Sequence, residues 1–261
     1  MKRWINWVTL VVIFSIACGF LANWQFQRRE NRVASIALVK ENYNEPPIDL
    51  EKLVQAQDLP LPAVTWRTVR LEGHYLSKSF VLVRNRPNDG QPGFEQLVPF
   101  ECEDGRIVFI TRGWLPNGNT QDFPDDNPLP KSQKLTVLAR VIPQEPILDR
   151  GAPKGQIASI NIELVNEATG LESHFSNGYF RLVSEVPSLG KSLRPMPAPT
   201  IEEGNNLSYA FQWILFALMA TFALIWRIRL DSNEARGITS KMRVKRSDLD
   251  AAFEDETTTE K

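Results

Sequence analysis

The feature that most constrains this chain is a run of twenty uncharged, mostly apolar residues from Leu207 to Trp226. Seven basic residues follow it: Arg227, Arg229, Arg236, Lys241, Arg243, Lys245 and Arg246. As a helix the run spans roughly 30 Å, the thickness of a bilayer's hydrocarbon core. A second uncharged run, Ile5 to Ala22, spans roughly 27 Å. The expected organisation is a short N-terminus (1–4), a transmembrane helix (5–22), a large domain (23–206), a second transmembrane helix (207–226) and a tail (227–261).

Orientation follows from the basic flanks. Lys2 and Arg3 set against Arg28, Arg29 and Arg32 decide nothing, but the basic run after Trp226 outweighs Lys191 and Arg194 before Leu207. Basic residues near a span stay on the cytoplasmic side. Both termini are therefore expected in the cytoplasm, with the large domain extracytoplasmic. No Arg-rich, Ser-rich transit segment precedes the first run, which points to a multi-pass protein of a bacterial plasma membrane. A cleaved signal is the rival expectation, since Ser15-Ile16-Ala17-Cys18 faintly resembles a lipoprotein cleavage site. From Asp248 to Lys261 six acids face one lysine, the composition of a disordered tail.

The 184 residues between the spans read mostly as strand. Alternation predicts strands at 64–72, 80–84, 94–100 and 107–111, with turn signals at Pro87–Gly93 and Asp104-Gly105. Further strands are expected at 135–141, 156–160 and 179–183, and helices at 162–169, stopped by Gly170, and 48–57. The fold class is thus a membrane protein whose two helices flank a β-rich α+β domain, an antiparallel sheet or a partly closed barrel. Pro195, Pro197 and Pro199 mark an extended tether back to the bilayer.

The chemistry is defined largely by absences. There is no phosphate loop, no paired-Cys metal motif and no Gly-x-Ser-x-Gly elbow, so the chain is not expected to be an enzyme or to hold a metal. Cys18 falls in the first span and Cys102 in the domain, too far apart to form an internal disulfide. His74 and His174 stand a hundred residues apart and show no ligand spacing. Asp122, Asp125 and Asp126 lie among prolines and read as a solvated loop.

What remains is a pair of clusters beside the spans. Gln25, Arg28 and Arg32 recur at helical spacing, with Trp24 four residues before Arg28. Tyr209, Gln212, Trp213 and Phe216 do the same at the start of the second span. Such residues either anchor helices at the interface or form a polar and aromatic slot for a flat amphipathic ligand or a partner's helices.

Several segments in order resemble one family. They are Trp24-Gln25-x-x-Arg28-x-x-x-Arg32, Leu71-Glu72-Gly73-His74-Tyr75, Arg84-Asn85-Arg86 with Gly90 and Gly93, Thr111-Arg112-Gly113-Trp114-Leu115-Pro116, and Leu207-Ser208-Tyr209-Ala210-Phe211-Gln212-Trp213. The chain is similar to the surfeit locus protein 1 family of cytochrome c oxidase assembly factors, over about residues 5–228. The resemblance implies a chaperone-like role in maturing the catalytic subunit of a haem-copper oxidase by presenting or stabilising haem a at the outer membrane surface. Its partners would be that subunit, other assembly factors and the lipid bilayer, with no nucleic acid. The alternatives are a lasting accessory subunit of the respiratory complex and a membrane-anchored extracytoplasmic binding domain.

On this reading Arg28 and Arg32 would pair with haem propionates while Tyr209 and Trp213 pack on the macrocycle. Asn206 stands where relatives carry a candidate histidine ligand, and an amide does not supply the imidazole nitrogen usual for haem iron. Ala22 for glycine and Arg32 for lysine are milder departures. Gly73, Arg112, Gly113 and Trp114 are expected to be structural, with Gly113 taking a positive φ that turns Trp114 into the core.

Overall fold

The computed structural model describes residues 2–55, 61–121, 123–188, 191 and 193–236. Two units emerge, Met1–Val33 with Glu203–Lys261, and Ala34–Glu202. In chain order the elements are α1 (Lys2–Asn42), β1 (Ile48–Asp49), α2 (Leu50–Gln55), α3 (Leu61–Val64), β2 (Thr68–Tyr75), β3 (Val81–Val83), β4 (Gly93–Cys102) and β5 (Ile107–Pro116). There follow β6 (Leu135–Pro143), β7 (Gln156–Ile157), α4 (Ile162–Thr169), β8 (Gly178–Val186) and α5 (Asn206–Ala235).

α1 and α5 are longer than the apolar runs that nucleate them. Their most apolar windows have mean hydropathies of 2.2 and 1.7 and are only 11 % and 6 % buried, so neither is the core helix of a soluble domain. They are the two transmembrane helices of a membrane protein. Within this unit they run antiparallel: Phe26 meets Phe211 edge-on at 6.2 Å, and the groove beside Trp4 and Trp7 is closed by Ala220 and Leu224. The covered positions step by three and four along both helices: Val11, Ser15, Cys18, Ala22, Gln25 and Arg29 on α1, Ala210, Trp213, Ala217, Ala220 and Leu224 on α5. That heptad pattern lets small residues bring two backbones close in lipid.

In the second unit, strands β2, β6, β8, β5 and β4 follow one another in the sheet, and β4 pairs back to β2, closing a five-stranded barrel. β3, β7 and β1 extend it. The pairing β5–β8 is parallel and the other barrel pairings are antiparallel. Closure turns on Gly73, whose strand faces Leu135 of β6 on one side and Cys102 of β4 on the other. A Cβ at Gly73 would lie 2.0 Å from the Glu101 carbonyl oxygen, so only glycine fits.

Alternate residues fill the interior, among them Val69, Leu71, Val98, Phe100, Ile110 and Val137, all essentially buried. A second apolar cluster on the outside, including Leu97, Phe109 and Ile160, is covered by β7 and α4. α4 has the expected bounds, and the Asn161 side chain caps it by accepting from Glu163 N at 3.1 Å.

Among the described residues, a buried charged network is built around Arg112. Arg112 donates to Gln96 Oε1 at 3.0 Å, to the Pro128 carbonyl at 3.3 Å and to Glu185 Oε1 at 3.2 Å. Tyr75 Oη donates to Glu185 Oε2 at 3.2 Å, and the Arg112 guanidinium lies 5.4 Å from the Tyr75 ring centre. Burial, with Glu185 beside it, pushes the Tyr75 phenol well above its ordinary range. The next residues bind the returning chain. Gly113, at φ 150°, leaves no room for a Cβ, which would lie 2.7 Å from Leu193 Cβ and 2.8 Å from the Arg194 carbonyl oxygen. Trp114 N donates to that carbonyl at 2.7 Å, its Nε1 donates to the Arg86 carbonyl at 2.6 Å, and Arg194 stacks on its ring at 4.8 Å.

Several expected boundaries move. The strand expected from residue 64 begins at Thr68, because Val64 ends α3 and Trp66 takes a φ of 72°. Its indole is held between Tyr43, at 6.2 Å, and Arg181, at 5.6 Å. In place of one helix over 48–57, Ile48–Asp49 pair in parallel with Val69–Arg70 before α2 begins, and residues 56–60 lie outside the described ones. The strand expected at 156–160 stops at Ile157, after which Ile160 N donates to Glu145 Oε2 at 2.9 Å. The acidic tail also lies outside the described residues.

Candidate partner-contact site

α1 continues without a break through Trp24, Gln25, Arg28 and Arg32, so the first cluster does sit on a helix. The antiparallel register set by Phe26 and Phe211 brings this stretch level with Tyr209–Trp213, within about one helical turn of 5.4 Å.

The cluster splits between two faces. Gln25 is buried in the seam, and its Oε1 has no hydrogen-bond partner among the described residues. One turn on, Arg29 pairs with Glu203 at 2.8 Å. Trp24 and Arg28 point elsewhere: Trp24 is half exposed and Arg28 stacks over it, 5.4 Å from the ring centre. Arg32 is half buried. On α5, Tyr209 and Gln212 are exposed, while Trp213 turns toward the seam and meets Phe216 edge-on at 5.8 Å.

The site therefore offers an exposed face of Trp24, Arg28, Tyr209 and Gln212, backed by a pinned seam of Gln25, Arg29, Glu203 and Trp213. Arg29 and Glu203 were not picked out from sequence. Arg29 lies four residues after Gln25 in the seam's three-four pattern, which was the available signal. The exposed face combines aromatic surface, a stacked guanidinium and an amide, the residue types that grip a polar edge next to an apolar body.

No histidine stands in this unit to ligate iron. Asn206 donates its Nδ2 to the Glu203 carbonyl at 3.3 Å, capping the turn before α5. Both histidines lie in the barrel unit and are used there. His74 stands 3.4 Å from Glu101, and His174 Nδ1 accepts from Ile107 N at 3.0 Å while the His174 backbone N–H donates to the Ile107 carbonyl at 2.8 Å. Among the described residues no three His, Cys, Asp or Glu side chains form a metal-binding group.

The remaining flagged residues are structural. Cys18 and Cys102 are both free and buried. Burial first, then Asp104, pushes the Cys102 thiol up to about 12, which keeps it protonated and unreactive. Asp125 accepts from Asn119, Asp126 pairs with Lys191 at 2.6 Å, and Asp122 lies outside the described residues.

Two transmembrane helices flanking a β-rich domain that contains a closed five-stranded barrel define a membrane-anchored barrel protein. The SURF1 family model matches residues 12–218, and the chain belongs to this family. It is 30 % identical over 227 residues to an uncharacterized SURF1-like protein of Mycobacterium tuberculosis, covering 85 % of this chain and 82 % of the relative. A SURF1-like protein of Rickettsia bellii is 24 % identical over 245 residues, covering 91 % and 95 %. The cytochrome oxidase assembly protein SHY1 of Saccharomyces cerevisiae is 29 % identical over 142 residues, covering 51 % of this chain and 35 % of that one.

Proposed function

We propose that this chain is an assembly factor for a haem-copper cytochrome c oxidase, not an enzyme, and that it assists maturation of the catalytic subunit through contacts at the outer surface of a bacterial plasma membrane. Family membership, with a yeast relative named as a cytochrome oxidase assembly protein, carries this reading. The exposed face of Trp24, Arg28, Tyr209 and Gln212 supports it locally, since it leaves aromatic and cationic groups facing away from the seam. The basic run after α5 supports cytoplasmic termini and an extracytoplasmic barrel. Haem a is the cofactor of interest by kinship, but the residues beside the spans include no histidine to serve as an axial ligand. The proposed role is therefore contact with the maturing subunit, with no histidine of the helical pair on haem iron.

The test is a deletion strain scored by reduced-minus-oxidised membrane spectra, oxidase activity and catalytic-subunit abundance. Loss of the haem a signal and activity with other cytochromes intact is the expected result. Unchanged spectra and activity, with no paralogue in the genome, would overturn the reading.

A further inference from the structure

At the end of the helical pair remote from the Trp24–Arg28 face lies a groove of about 490 Å³. Its floor is Ala220, Ala223 and Leu224 of α5, its wall is Trp4, Trp7 and Val11 of α1, and Arg227 stands at one end. The volume falls within the roughly 300–1,000 Å³ of sites that hold small ligands. Two alanines on α5 lie across it from two bulky indoles, Trp4 being half-buried and Trp7 54 % exposed.

We propose that this groove is a binding site for an anionic phospholipid, whose acyl chain lies along Ala220 and Ala223 and whose phosphate meets Arg227. The inference rests on the helices spanning a membrane, not on the oxidase role. Charge complementarity selects the occupant. The lining is apolar except for a guanidinium, which stands one turn beyond Ala223, at the level where the basic run begins. Arg227 uses its Nε on Asp231, 3.3 Å away, and its side chain is 60 % exposed. A guanidinium has five N–H donors in a fork that suits phosphate oxygens. Trp4 and Trp7 flank the groove as aromatic residues do at headgroup depth. A partner's apolar helix would fill the floor but leave unused the guanidinium N–H donors that Asp231 does not take, whereas a phospholipid engages both.

The full chain, purified in mild detergent, would be exposed to phosphatidylglycerol or phosphatidylcholine and the retained lipid counted by native mass spectrometry. The parent is expected to retain phosphatidylglycerol in preference. R227Q should lose about fivefold of that preference, the usual worth of one basic residue at an anionic surface. A220L/A223L, which fills the floor on a lipid-exposed helix, should lose retention of both lipids. R229Q, which removes a charge just beyond the groove, should leave the preference intact. Equal retention of both lipids by the parent, undiminished retention by A220L/A223L, an R229Q effect as large as that of R227Q, or a lipid-free dimer would each overturn the site. None of these outcomes depends on whether the deletion strain loses oxidase.

Discussion

The barrel and the helical pair handle arginine in opposite ways. In the barrel, the Arg112 side chain is 2 % exposed and is held by Glu185, Gln96 and a backbone carbonyl, with Tyr75 beneath it. On α1, Arg28 is exposed and its recorded neighbour is the face of Trp24. A buried cation needs a full set of partners because desolvation costs several kcal/mol per ion. An exposed one stacked on an indole is stable by itself and still offers its N–H groups outward. Arg112 thus maintains the fold, whereas Arg28 keeps its N–H groups turned outward.

Glycine gives the largest test of this contrast. Gly73→Ala would place a Cβ 2.0 Å from a backbone carbonyl at the barrel's closure, and neither strand can yield without breaking a ladder. The expected outcome is failure to accumulate a protease-resistant domain, read by limited proteolysis of membranes. Gly19→Ala on α1 meets nothing within 4 Å and should leave abundance and resistance unchanged. Equal tolerance of both would mean that the barrel does not close at Gly73.

Arg112 comes next. Arg112→Ala leaves Glu185 buried without its cation and should destabilise the domain by about 3–5 kcal/mol, measured by denaturant titration. Arg112→Ala with Glu185→Ala should cost less than the sum of the two single changes, because they share one network. Strict additivity would show that the pair is not coupled. Trp114→Ala belongs to the same class, with about 3–5 kcal/mol lost as a buried indole is removed and the returning chain released.

Arg28 should behave in the reverse manner. Arg28→Ala is expected to change stability by no more than about 0.5 kcal/mol, as surface substitutions do. Combined with Trp213→Ala, at normal abundance, it should lower oxidase yield in intact membranes. Normal haem a content and activity in that double variant would remove the face from the proposed site.

The sequence carried the helices and most strands because their signals are local. Uncharged runs long enough for a bilayer, the β-branched stretch at Ile107–Thr111 and the Gly170 stop each act within a few residues. A partly closed barrel was among the expected forms, but the strand pair that closes it was not legible, because the β2–β4 pairing depends on a contact between Gly73 and Glu101 that no local pattern announces. The parallel pairing of β5 with β8 was missed for the same reason. Placement in the candidate site was half legible: Trp24, Arg28, Tyr209 and Gln212 are exposed on their helices, but helical spacing alone grouped the buried Gln25 with them. Packing against α5 turned Gln25 into the seam together with Arg29. A heptad count against the second span would have separated Gln25 from Arg28, because only one of the two falls on the three-four pattern that Ala22 and Cys18 begin.

The smallest effect, and the one of opposite sign, is expected at Glu95. Its carboxyl is 2 % exposed with Oε2 unpartnered, and burial raises its pKa despite Arg86 and Arg181 nearby, with Glu145 adding to the rise. A carboxyl whose folded pKa is raised is best accommodated neutral. Its penalty is absent when both states are protonated and appears as pH climbs from the unfolded value through the folded one. Glu95→Gln should therefore raise the melting temperature of the barrel at neutral pH, and the gain should disappear in acid below the ordinary glutamate range. Asp104 provides the reference of opposite sign: the Arg106 side chain beside it lowers its pKa, so its contribution is present at neutral pH and is lost as pH falls. A Glu95→Gln variant less stable than the parent at neutral pH would show that Arg86 and Arg181 need the ionised carboxylate. Glu95 would then join Arg112 and Glu185 as a barrel charge kept for the fold.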